Sequence, residues 1–240
     1  MLKYEIQGGN LPVVICYPQA GHTICSESGA MSWMSPNMKM ETNSGGGFKK
    51  AMGRFFSGDS VFLNEYTPMG GNGMIAFSSS FPGSIIPFEL HNGESIIVQK
   101  DGFLAMEKGL ELSLYFQKKI SKGFFGGEGF IMQKIQGNGV VFVEIDGFCK
   151  EYVLRAGEQI IVDTGYLAAM SETCRMDIQT VKGVKNMFFG GEGIFNTVIT
   201  GPGKVYIQSM PISNTAEALA PFLAGAAVGN DKGFSINFGD

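Results

Sequence analysis

Two histidines, His22 and His91, four cysteines, Cys16, Cys25, Cys149 and Cys174, and three carboxylates in related contexts, Asp59, Glu128 and Glu192, are the residues whose types could carry chemistry. A metal site in a β-barrel of the cupin kind needs two or three imidazoles and a carboxylate at close strand spacing. His22 follows Gly21, whereas His91 lies two residues before Gly93, so the imidazoles belong to different turn positions and read as turn or surface histidines. The cysteines form no Cys-x-x-Cys pair and read as reduced, buried thiols in a chain too large to need disulfide staples. No Gly-x-x-x-x-Gly-Lys-Ser/Thr sequence occurs, and the Gly-Gly-Glu-Gly turns put an anion where a bound phosphate would sit. The residues therefore imply no catalytic set, no cofactor and no metal.

Glycine accounts for 35 of the 240 residues, beside 44% apolar residues. That much apolar material argues against disorder, and so much glycine argues against a helical core. The spacing resolves the excess. Phe124-Phe125-Gly126-Gly127-Glu128-Gly129 recurs as Phe188-Phe189-Gly190-Gly191-Glu192-Gly193, with a degenerate copy at Phe55-Phe56-Ser57-Gly58-Asp59-Ser60. Over 122–143 against 186–207, ten of 22 positions are identical. Gly93-Glu94-Ser95-Ile96-Ile97-Val98 likewise maps onto Gly157-Glu158-Gln159-Ile160-Ile161-Val162, with Gly21-His22-Thr23-Ile24-Cys25 as the first copy.

The elements that must position these residues are strands. Val140 to Ile145 and Val205 to Ile207 are β-branched or aromatic runs bounded by glycine, and Leu110, Leu112, Leu114 and Phe116 alternate with polar neighbours. The triplets Ile96-Ile97-Val98 and Ile160-Ile161-Val162 predict strands covered on both faces. The fold expectation is all-β: three tandem repeats of a short double-stranded β-helix or β-sandwich unit with pseudo-three-fold symmetry, at about seven strands per unit. The units span residues 1–73, 74–139 and 140–210, and residues 211–240 form one short helix, capped near Asn214 and Thr215, and a tail that could add an edge strand at Phe234 to Phe238.

The repeat also grades the candidates. Cys16 stands where Phe88 and Tyr152 stand, and Cys25 where Ile97 and Ile161 stand, so both read as core thiols. Asp59, Glu128 and Glu192 occupy one place in each copy, either as turn acids accepting backbone N–H groups or as a symmetric polar belt. Met31, Met34, Met38 and Met40 around Trp33 align with 102–106 and read as strand core, with an adaptable partner surface as the alternative. Lys49-Lys50, Lys118-Lys119, Lys182 and Lys185 fall at non-equivalent positions, and the net charge is −4, which argues against nucleic-acid binding. The longest apolar stretch, Ala218 to Gly229, is too short to span a bilayer, and the first residues lack an apolar run, so the expected location is cytoplasmic.

The Phe-Phe-Gly-Gly-Glu-Gly signature, the Ser26-Glu27-Ser28-Gly29-Ala30-Met31 segment and the Leu219-Ala220-Pro221-Phe222 helix resemble the altered inheritance of mitochondria protein twenty-four family over roughly residues 1–223. The resemblance implies three domains similar to the trp RNA-binding attenuation protein, assembled as a homotrimer into a nine-domain ring. The functional expectation is a non-enzymatic homo-oligomeric scaffold, with a small-ligand-binding module whose site lies between β-domains as the alternative.

Overall fold

Alternating and continuous apolar runs separated by glycine turns leave the backbone little choice but strands, and strands must pair laterally to satisfy their N–H and C=O groups. The computed structural model describes residues 2–43, 63–118, 129–180 and 195–228. In chain order the strands are β1 (Lys3–Gln7), β2 (Val13–Tyr17), β3 (Ile24–Glu27), β4 (Met31–Met34), β5 (Met38–Asn43), β6 (Leu63–Pro68), β7 (Ile75–Ser78), β8 (Gly83–Leu90), β9 (Ser95–Gln99) and β10 (Phe103–Glu107). There follow β11 (Glu111–Lys118), β12 (Phe130–Gln136), β13 (Gly139–Asp146), β14 (Cys149–Leu154), β15 (Gln159–Asp163), β16 (Leu167–Ser171), β17 (Arg175–Thr180), β18 (Phe195–Thr200) and β19 (Gly203–Gln208). Helix α1 (Ile212–Val228) closes the described chain. It starts before the caps anticipated at Asn214 and Thr215, where the Ile212 N–H is held by the Asp146 carboxylate at 2.7 Å. The protein is thus predominantly β with one C-terminal helix.

One pairing scheme accounts for almost every ladder. From β8 to β13 the first strand pairs with the sixth, the second with the fifth, the third with the sixth and the fourth with the fifth, all antiparallel. Strands β14 to β19 pair in the same way, as do β2 to β7. Each set therefore has six strands among the described residues, and β1 is an addition that pairs with β2. The third strand slips register at the same place in all three sets, between Met31 and Trp33, Phe103 and Ala105, and Leu167 and Ala169.

Two further ladders join the sets: β10 pairs with β3, and β16 pairs with β9. The result is four sheets, ordered β1-β2-β7-β4, β5-β6-β3-β10-β13-β8, β11-β12-β9-β16-β19-β14 and β15-β18-β17. Side chains alternate between the faces of each strand, so the two six-stranded sheets each contribute to two cores. Val14, Ile75 and Phe77 of the first sheet pack on Ile24, Tyr66 and Phe142 of the second. The other face of the second sheet, with Met106, Val141 and Val143, meets Val98, Ile135 and Tyr206 of the third. Ile97, Met132 and Met170 on the far side of the third sheet then meet Val162, Ile178 and Ile199 of the fourth.

Glycine sets the turns between these strands. Gly21, Gly93 and Gly157 have φ of +77°, +81° and +78°, in the left-handed region that a side chain disfavours, and no other atom crowds them. Gly139 is tight as well as left-handed: a Cβ there would lie 3.0 Å from the Glu107 carboxylate.

Candidate functional site

The two joints between strand sets, hereafter seams, show how this chain covers an open strand edge. At the first, Ala105 faces Ser26, Met106 faces Cys25 and Glu107 faces Ile24. At the second, Ala169 faces Val98, Met170 faces Ile97 and Ser171 faces Ile96. Each seam is closed by side chains beyond the ladder. Glu107, nearly buried, accepts the Val140 N–H at 2.7 Å and lies 2.8 Å from His22 Nε2. Lys108 Nζ is 2.7 Å from a Glu65 oxygen at the first seam, and Lys134 Nζ is 2.5 Å from a Glu172 oxygen at the second, where the Ser95 hydroxyl also donates to Glu172. These bonds lower the Glu172 carboxyl below its usual range, chiefly through Lys134, and raise Lys108 above its usual range, chiefly through Glu65.

Two edges of the same kind have no cover. Strand β4 pairs only with β7, and β15 only with β18, among the described residues. The difference in burial is large. Ile161 of β15 is 66% exposed, whereas Ile97 and Cys25 at the matching register are 0% and 5% exposed. Trp33 of β4 is 45% exposed, whereas Ala105 and Ala169 at its register are fully buried. The expectation that Ile160-Ile161-Val162 is covered on both faces is therefore corrected: Val162 points into a core, and Ile161 points out because, among the described residues, its sheet has three strands where the neighbouring sheet has six. The reading of the methionine-rich segment as strand core needs the same correction at Trp33 and Met40, while Met31 and Met34 pack partly and Met38 fully on the first core.

A groove of about 710 Å³ opens between the turn after β9, the ends of β13 and β19, and α1. Asp101, Glu144, Asp146 and Glu217 line it with Gln99 and Gln208. Glu144 accepts bonds from the Ser79 hydroxyl at 2.8 Å and the Ser80 N–H at 2.7 Å. Gln208 donates to Gln99 at 3.1 Å and to the Gly165 carbonyl at 2.9 Å, tying the second and third strand sets together. Burial raises the Asp146 carboxyl, against the lowering effect of the Ile212 N–H bond, and the nearby Glu144 and Asp101 charges raise it further.

Among the described residues, none of the sequence candidates are brought together as a reactive cluster. Asp59, Glu128 and Glu192 lie outside the described residues, as does the segment Phe234 to Phe238. His22 and His91 are in separate turns, and His22 is engaged by Glu107. Cys16, Cys25 and Cys174 are buried free thiols, and Cys149 is half-buried. Burial, reinforced by the Glu107 charge, pushes the Cys16 thiol up to about 12, and burial with Glu65 pushes Cys25 up to about 11. Neither is a nucleophile at neutral pH. Among the described residues, no three His, Cys, Asp or Glu side chains are grouped to hold a metal ion, and no helix is long and apolar enough to cross a membrane. Sequence reasoning missed Glu107 and the exposure of Ile161 and Trp33. The alignment of Ile161 with Ile97 was visible in the repeat, but which strand edge lacks a neighbour among the described residues depends on pairings remote in sequence.

Comparison with known proteins agrees with this architecture. The family described as mitochondrial biogenesis AIM24 matches residues 4–210. An X-ray structure of a Streptococcus pyogenes protein, solved as a structural-genomics target, superposes with a TM-score of 0.75 at 25% identity, covering 92% of this chain and 100% of that one. None of the curated proteins matches the chain significantly.

Proposed function

The chain belongs to the mitochondrial biogenesis AIM24 family, and on that premise we propose that it is a non-enzymatic scaffold that assembles with copies of itself into a closed ring. Three tandem β-sandwich units of the short double-stranded β-helix kind, related by pseudo-three-fold symmetry, are part of this reading. It is supported by the common pairing scheme of residues 13–78, 83–146 and 149–208.

The observation that carries it is the pair of half-sheets at the ends. The chain builds the same six-stranded sheet twice by laying the third strand of one set on the second strand of the set before it. What remains is β2-β7-β4 at one end, extended by β1, and β15-β18-β17 at the other. These are the two halves of a third such sheet. Joining β4 of one copy to β15 of another, in the internal register, would set Trp33 opposite Val162, Met34 opposite Ile161 and Ser35 opposite Ile160. Ile161 would then enter the first core of the next copy, and Trp33 would enter the third core of the copy before. Burying a side chain of either kind stabilises by about 1.5–3 kcal/mol, and an unpaired strand edge is itself a template for another chain.

Such a joint is head-to-tail, so it either closes into a ring or grows into a filament. A closed homotrimer is the form that the family resemblance favours. Light scattering coupled to size exclusion at micromolar concentration should return three times the chain mass. A monomer under those conditions would sink the scaffold reading.

A further inference from the structure

The ring reading leaves a question of order, since all three seams would share one backbone geometry and any third strand could in principle lie on any second strand. The residues flanking the ladders are not interchangeable. Lys108 and Glu172 occupy the same register place, one residue beyond the pairs Glu107–Ile24 and Ser171–Ile96. Their partners Glu65 and Lys134 also match, one residue before Tyr66 and Ile135, which face Ile24 and Ile96. The two ion pairs therefore have the same position and opposite polarity, Lys108 with Glu65 at the first seam and Glu172 with Lys134 at the second. At the two open edges the corresponding places hold Pro36 and Val198, one residue beyond Ser35 and one before Ile199, and neither is charged.

We propose that these flanking charges are a key that assigns each internal edge to its own neighbour and reserves β4 and β15, whose flanking places Pro36 and Val198 carry no charge, for joining a second copy. The proposal rests on the scaffold reading for the identity of the partner, but the key itself acts within a single chain. Exchange of partners makes like charges meet. Laying β10 on β9 would put Lys108 beside Lys134 and move Glu107 from His22 to Glu94. Laying β16 on β3 would put Glu172 beside Glu65. Laying β10 or β16 on β15 would set a charge against Val198, which is buried. Like charges facing across strands destabilise the wrong pairing even where the correct ion pair, being partly exposed, adds little. Selectivity of this kind comes mainly from the penalty on the wrong partner.

The test is refolding of the full chain from guanidinium, read by native mass spectrometry and thermal unfolding. Glu65→Lys alone should lower the Tm by several degrees. Adding Lys108→Glu should recover most of that loss, because the ion pair is restored with reversed polarity. The same double variant gives both internal seams one polarity, so it should refold into a ladder of exchanged, higher-mass species where the natural sequence gives a single mass. A double variant that refolds to the same single mass as the natural sequence, or a single variant without effect on Tm, would overturn the key. If the double variant does not fold, the mirror exchange Lys134→Glu with Glu172→Lys decides by the same readout. A natural sequence that refolds as a monomer contradicts the scaffold reading and leaves the key to be judged by the ladder of the double variant.

Discussion

Glu107 carries more of the fold than any residue that chemistry-first reading selects. It is nearly buried, it holds the Val140 N–H at 2.7 Å, and its second oxygen is at His22. Ser35 and Ser171 do the corresponding work in the other strand sets, accepting the Met74 and Lys204 N–H groups at 3.0 Å. The N–H in each case follows a glycine, Gly73, Gly139 or Gly203, and a Cβ at Gly139 or Gly203 would crowd the third strand at Glu107 or Ser171. Glu107→Ala should therefore destabilise the chain by about 1–3 kcal/mol, the cost of leaving a buried donor unsatisfied; chemical denaturation at neutral pH would measure it, and Glu107→Gln should recover part of the loss. The glycines were legible in the sequence because their role is local. Left-handed φ at Gly21, Gly93 and Gly157 needs only the residue type and the turn around it. Glu107 was not legible, because an acid at the end of an apolar strand looks like a solvent-exposed terminus until His22 and Val140, remote in sequence, are brought to it.

At the scale of the element, the repeat gives the strands and hides their surroundings. Leu112 is buried and Glu111, Ser113 and Tyr115 are exposed in β11, as alternation requires. Ile96, Ile97 and Val98 are all buried, as a strand between two cores requires. Strand β15 has the same residues at all three places and a different fate, since among the described residues it has no outer neighbour and the core beyond Ile161 has no second wall. Periodicity reports which residues could be covered on both faces, and the number of sheets in the chain decides which are. Ile161→Lys should accordingly leave the protomer nearly unchanged, within about 0.5 kcal/mol as for other exposed sites, while it abolishes assembly. Circular dichroism melts in dilute protein and the mass in solution check the two halves of that expectation separately.

At the scale of the whole molecule, the described residues form four sheets, two of six strands and two that carry only half of that strand set. In the proposed assembly the half-sheet at one end of the described residues would complete the half-sheet at the other end of a second copy. The proposed joint is directional, since β4 and β15 are different surfaces and neither matches itself. That directionality separates this account from any dimer built on a shared apolar patch, in which one surface meets its own copy. The most direct measurement is cross-linking between two single variants, Met34→Cys and Ile161→Cys, co-refolded and treated with a short bismaleimide. The account predicts covalent dimers only when both variants are present, since each cysteine faces the other across the joint. Dimers formed by either variant alone, or none in the mixture while the protein is oligomeric, would contradict head-to-tail closure through β4 and β15.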